Sequence, residues 1–181
     1  MAPNRLTFIL LAMLFLLATL IEPAYGKNAG SISQVKGSGV LERGADVVID
    51  GKVGAGVQSM DTAVTANGTM RIDFIDETRV DITEQSRLVI DEFVYDPAND
   101  IGSLSIKASL GTVRYASGQI AKKYKQNVKI RTPSATIGVR GTDFIMVVDE
   151  VGGSMITLLP SCDTAGMCYV GEIKVETDAG F

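Results

Sequence analysis

Met70-Arg71-Ile72-Asp73-Phe74-Ile75-Asp76-Glu77-Thr78-Arg79-Val80-Asp81-Ile82-Thr83 decides the fold class of this chain. Met70, Ile72 and Phe74 alternate with Arg71 and Asp73; Val80 and Ile82 alternate with Arg79, Asp81 and Thr83. A period of two puts apolar side chains on one face and polar ones on the other, the pattern of a half-buried strand. Asp76-Glu77 between the two runs reads as a turn. The same alternation returns in Val128-Lys129-Ile130-Arg131 and in Ile173-Lys174-Val175-Glu176. Further strand-like runs are Val47–Ile49, Leu88–Ile90, Leu104–Ile106, Phe144–Val148 and Met155–Leu159. Asn67-Gly68, Asp96-Pro97, Asn99-Asp100 and Gly152-Gly153 punctuate them. Asn67-Gly68 predicts a tight hairpin, because both residues tolerate positive φ. Helix is expected only at Gln119–Tyr124, a turn or two between Gly118 and Asn127. Many short strands predict an all-β domain, and without a strict repeat the pattern leaves a β-sandwich and a short solenoid both open.

The N-terminus follows another rule. Leu6 to Ile21 is apolar except for Thr7 and Thr19, Arg5 precedes it, and Ala24-Tyr25-Gly26 supplies small residues for cleavage. Sixteen helical residues reach about 24 Å, short of a hydrocarbon core of about 30 Å. Residues 1–26 therefore read as a signal peptide, with an uncleaved inner-membrane anchor as the alternative. No cysteine stands near the cleavage point, so lipid attachment there is not expected. Residues 27–181 are then one exported domain, periplasmic or secreted.

Composition narrows the chemistry. The 181 residues contain no histidine, which excludes Ser-His-Asp triads, Cys-His pairs, zinc-histidine sites and histidine switches. The formal charge of −4 is a cancellation. Residues 42–100 carry five basic and thirteen acidic side chains, and residues 143–181 one basic and seven acidic. Residues 101–142 carry eight basic and none acidic: Lys107, Arg114, Lys122, Lys123, Lys125, Lys129, Arg131 and Arg140. Two readings follow. Basic strands lie beside acidic ones and pair across the sheet, or they build a basic face, centred on Lys122, Lys123 and Lys125, that meets an anionic envelope component. Nucleic acid is not an expected partner, since export separates the two and the block offers only Tyr115 and Tyr124 for stacking.

Other candidates are thinner. Cys162 and Cys168, in an exported chain, predict a structural disulfide across a hairpin loop, not a redox or metal pair. Asp96, Asn99 and Asp100 are oxygen donors of the kind calcium takes, but the EF-hand spacing is absent and turn chemistry explains them. Asp73 and Asp81 have the residue type of a glycosidase pair, yet on alternating strands they are expected to face water. No phosphate-cradling glycine loop or nucleophile elbow is present, and no cofactor or metal is expected.

One segment is more specific. Ile130 to Phe144 contains Thr132-Pro133-Ser134-Ala135 and Val139-Arg140-Gly141-Thr142-Asp143-Phe144. Pro133 biases Thr132 to an extended conformation, suiting a strand edge or bend. Gly138 and Gly141 bracket Val139-Arg140 and predict positions where a side chain would clash or φ is positive. Arg140 is expected to be held by a buried carboxylate or by carbonyls. Through Thr132, Pro133, Ala135, Val139, Arg140, Gly141, Thr142 and Phe144 the segment resembles the signature of the FecR domain. Gly39 to Ile49, the surroundings of Asn67-Gly68, and Leu110-Gly111-Thr112-Val113 look like that family too, so the resemblance spans about 30–150. It implies an all-β periplasmic module, a short solenoid-like or rolled sheet. Full-length FecR regulators add a cytoplasmic sigma-factor-binding domain and a transmembrane helix, in whose place an export signal is expected here. The functional expectation is a non-catalytic exported module that binds or presents an envelope component or protein partner. The alternative is a periplasmic sensor subunit relaying to a separate membrane signalling protein, and the remote alternative a carboxylate-dependent glycan-active enzyme.

Overall fold

A computed structural model describes residues 27–162 and 165–177; the expected signal peptide at 1–26 lies outside them. The strands are β1 (Asn28–Lys36), β2 (Gly39–Arg43), β3 (Val47–Asp50), β4 (Gly56–Gln58), β5 (Asp61–Thr65), β6 (Thr69–Phe74), β7 (Arg79–Ile82), β8 (Arg87–Asp96) and β9 (Ile101–Ala116). A short helix, α1 (Gln119–Lys123), precedes β10 (Val128–Arg131), β11 (Thr136–Arg140), β12 (Asp143–Val148), β13 (Ser154–Leu159), β14 (Ser161–Cys162), β15 (Cys168–Tyr169) and β16 (Glu172–Glu176). Fourteen of them form one continuous sheet that curls into an open half-barrel. The all-β expectation holds in its rolled-sheet form.

The 16-residue strand β9 is the spine. Its first half pairs with β8 on one side and with β10 on the other, the β10 ladder being parallel. Its second half pairs with β7 and β12. Two arms leave this spine: β3-β2-β5-β8 and β10-β11-β16 extend the first half, β4-β1-β6-β7 and β12-β13 the second. Because both arms share β9 they are not two separate stacked sheets, and a sandwich is the poorer description.

Gly111 is the hinge between the halves. It sits at φ +92°, and a Cβ there would lie 2.0 Å from Ser86 Oγ. Leu104, Ile106 and Ala108 are buried before it, and Val113 and Tyr115 after it. The inward phase therefore switches from even to odd numbers, as an inserted bulge residue requires. β8 switches likewise: Leu88 and Ile90 are buried, the register slips between Ile90 and Glu92, and Phe93 then stacks on Phe74 with ring centroids 5.3 Å apart.

The chain also crosses between arms at its turns, which overturns the expected Asn67-Gly68 hairpin. β5 pairs with β2 and β8, whereas β6 pairs with β1 and β7, so Asn67-Gly68 is a corner between arms. Neither residue uses positive φ. Gly68 is there for close approach: a Cβ would come within 2.4 Å of the Lys36 carbonyl oxygen. Buried Thr65 and Ser86 satisfy backbone at the same corner, Thr65 Oγ1 donating to the Thr83 carbonyl at 2.5 Å and accepting the Ser86 N–H at 3.1 Å.

All inward side chains make one cluster. Leu41, Ala63, Leu88, Ile90, Ile106, Ile130 and Ile137 of one arm join Ile72, Val80, Ile82, Val113, Tyr115 and Phe144 of the other. Burying each large apolar side chain contributes about 1.5–3 kcal/mol, the main source of stability. Arg43 grips the fully buried Asp61 bidentately, both contacts at 2.7 Å, and this bond raises the arginine's pKa.

Candidate partner-binding face

The signature segment proves to be a corner with two sides. Thr132-Pro133-Ser134-Ala135 is the turn joining β10 to β11. The Thr132 N–H donates to the Ala135 carbonyl at 2.8 Å, and Thr132 Oγ1 accepts the Ala135 N–H at 3.1 Å. Ser154 Oγ donates to the same hydroxyl at 2.7 Å, tying the turn to the start of β13. Pro133 has no N–H to lose there, which is why the bend tolerates it. Gly141, at φ +72°, then turns the chain from β11 into β12 in the other arm. Val139, Thr142 and Phe144 are buried, and Phe144 stacks on Tyr115 at 5.3 Å. Burial pushes the Tyr115 phenol's pKa up. Thr142 accepts the Gly171 N–H at 3.2 Å on its hydroxyl and Ser117 Oγ at 2.6 Å on its carbonyl. These are bonds that hold a corner.

Arg140 departs from expectation. Its partner is no buried carboxylate but the exposed Glu172 opposite it on β16, at 3.3 Å. Gly138 departs further. Its φ is not positive, and a Cβ would meet nothing nearer than Lys174 Cβ and carbonyl oxygen at 3.8 Å. Neither backbone conformation nor packing demands glycine there.

The expected basic face is held out by α1, and α1 is placed by a residue the sequence reading took only for a turn former. Asp76 is fully buried. Its carboxylate accepts the Thr78 N–H at 3.1 Å, Thr78 Oγ1 at 2.8 Å and the Ile120 N–H at 3.1 Å, while its carbonyl accepts the Gln119 N–H at 2.7 Å. A side chain 44 residues away thus satisfies the first turn of the helix, whose own N-cap, Gly118, has no side chain to offer. Ile120 and Ala121 are buried, leaving Lys122 and Lys123 exposed.

The three lysines do not act alike. Lys123 bonds Asp100 at 2.6 Å and stands 5.2 Å over the Tyr124 ring; the Asp100 bond raises its pKa and lowers that of Asp100. Lys122 and Lys125 are exposed, with no ion pair among the described residues. Lys125 borders a groove of about 290 Å³ with Gln126, Lys129, Thr136, Gly138, Arg140, Lys174 and Glu176. The ladders explain this gathering: Lys129 lies opposite Gly138, and Gly138 opposite Lys174, across β10, β11 and β16. Arg131, one step outward on β10, bonds Asp91 at 2.9 Å. Both charge readings are thus realised within residues 101–142. Lys123, Arg131 and Arg140 are neutralised by acidic neighbours, whereas Lys107, Arg114, Lys122, Lys125 and Lys129 make no ion pair among the described residues.

The remaining candidates fall to structural roles. The Asn99 N–H and Nδ2 donate to Asp96 at 3.3 and 2.7 Å, a closed turn that lowers the Asp96 pKa, while Asp100 turns away to Lys123 and to the Tyr124 hydroxyl at 3.2 Å. The three residues do not converge on a common point. Asp73 accepts Arg79 at 2.9 Å and Asp81 accepts Arg71, each a cross-strand pair on the outer face of β6 and β7. Cys162 and Cys168 form a disulfide directly across the small β14-β15 hairpin. No described helix is long and apolar enough to cross a membrane.

Comparison with curated proteins and with solved structures returned no match. A family model described as FecR protein matches residues 61–160, from the buried Asp61 to the end of β13. The match contains the spine strand, the α1 anchor and the whole β10-β11-β12 corner, and the chain belongs to the FecR family.

Proposed function

We propose that this chain is a non-catalytic module of the periplasm that binds a protein or other anionic envelope partner on the outer face of β9, β10 and β11. The observation that carries the reading is that Lys125 and Lys129 border one groove and make no ion pair among the described residues, while Arg131 and Arg140 beside them have acidic partners. Unneutralised charge on one face speeds encounter with an oppositely charged partner and sets its orientation. Membership of the FecR family and the apolar N-terminal segment support the periplasmic setting. The non-catalytic part rests on what the titratable groups already do. Histidine is absent, and the buried carboxylates Asp61 and Asp76 are occupied by an arginine and by backbone N–H groups.

The family relation favours a second reading, a sensor subunit that passes its bound state to a membrane signalling protein. In-cell cross-linking with mass spectrometry separates the two. A membrane protein captured from the lysine face supports the sensor; a non-protein envelope component alone supports presentation. Turnover of an envelope polymer by the purified chain, abolished by one carboxylate substitution, would overturn the non-catalytic reading.

A further inference from the structure

We propose that the groove floored by Gly138 seats a phosphate group of a phosphorylated ligand. This deepens, and rests on, the assignment of the surrounding face as a binding face. Gly138 is the starting observation. A glycine inside a strand weakens it and is used where a bulge, a bend or the close approach of a ligand requires one. β11 has no register shift at Gly138, its φ is not positive, and a Cβ would have ordinary room. The approach of a ligand is the reason left. Ile137 and Val139 are buried, so position 138 faces outward, into the groove.

The charges around that bare floor match a dianion. Lys125, Lys129, Arg140 and Lys174 border it, and the carboxylates beside them among the described residues are Glu172, on Arg140 at 3.3 Å, and Glu176, on Lys174 at 2.7 Å. Among the described residues, four cations stand against two carboxylates, an excess of two positive charges. A phosphate monoester carries about −1.5 to −2 near neutral pH, whereas a single carboxylate supplies one. Glu176 acts as resident counterion: the Lys174 bond, and then the charge of Lys129, hold its carboxyl below the usual range. The volume of about 290 Å³ exceeds what a phosphate needs and leaves space for the group that bears it. Lipid headgroups and soluble phosphorylated sugars present the same chemistry.

The test follows backbone amide shifts of the full chain by NMR during titration with inorganic phosphate and with glycerol phosphate. Vesicles of phosphatidylcholine with and without phosphatidic acid form a second arm. The expected result is saturable movement of the Lys129 and Gly138 amides while those of Arg71 and Asp81 stay still. Gly138→Val should melt at or above the parent temperature, its strand position being unstrained, yet bind roughly tenfold more weakly, because its side chain would fill the floor of the groove. Glu176→Gln should bind more tightly. Saturation by the soluble phosphates, or vesicle binding that needs phosphatidic acid and falls with Gly138→Val, supports the proposal and identifies the source. No saturable shift in either arm, or undiminished binding by Gly138→Val, overturns it. If Lys122→Glu with Lys125→Glu abolishes partner cross-linking while phosphate never binds, the phosphate site falls and the partner face stands. If phosphate binds and that double variant cross-links as before, the partner reading falls alone.

Discussion

Within residues 137–144, neighbouring side chains serve two different regions of the molecule. Ile137, Val139, Thr142 and Phe144 turn inward, are buried, and join the arms of the half-barrel. Gly138 and Arg140, between them, face the groove with Lys125, Lys129 and Lys174. The inward set has its bonding fully committed, through the Tyr115 stack and the bonds of Thr142 to Gly171 and Ser117. The outward set has one exposed ion pair and open space. The comparison teaches that the family signature mainly specifies how the chain turns a corner, and that binding is to be sought in the residues interleaved with it.

Substitutions on the two sides should therefore separate by size of effect. Phe144→Ala removes a fully buried ring from the junction of the arms and should cost about 3–5 kcal/mol in urea denaturation. A smaller loss would show that the corner is looser than its burial implies. Asp76→Ala strands the Thr78 and Ile120 N–H groups and should cost about 1–3 kcal/mol or more. Hydrogen exchange at Gln119 and Ile120 should accelerate ahead of the rest, because the first turn of α1 loses its acceptor. Gly141→Val forces a β-branched residue into positive φ and should cost about 1–3 kcal/mol. Gly138→Ala, three residues away, should leave the melting temperature unchanged or raise it by the equivalent of about 0.4–1 kcal/mol. Equal losses from these two glycines would erase the distinction between corner and groove. Smallest of all, Arg140→Gln should move stability by less than about 0.5 kcal/mol, since its pair with Glu172 is exposed.

The parts of this arrangement differ in how far they can be read from residues alone. Alternation in Met70 to Phe74 and Arg79 to Ile82 is local, and it reported both the strands and their buried faces. The phase switches at Gly111 and after Ile90 were not legible. Each depends on what lies opposite, Ser86 in one case and the slipped β8-β9 register in the other. Asn67-Gly68 misled because its turn chemistry suits a hairpin as well as a corner, and the choice was made by the approach of Lys36 and Ser38. The same holds for the site. The basic block was visible as composition, but the cancellation of Arg131 by Asp91 and of Arg140 by Glu172 joins residues 40 and 32 positions apart. Gly138 in the sequence predicts a clash or a positive φ, and the structure shows neither, because what lies beside it is set by the pairing of β11 with β10 and β16.

The central claim is that the groove side of β10 and β11 is where a partner docks, and that the paired charges on β6 and β7 are inert. Its most direct test is a photoreactive side chain placed in the living cell at Gln126, on the groove, or at Arg79, beside Asp73. The account predicts a specific cross-linked partner from position 126, lost when Lys125 and Lys129 become glutamate, and none from position 79. Specific capture from position 79 with none from 126 would contradict it.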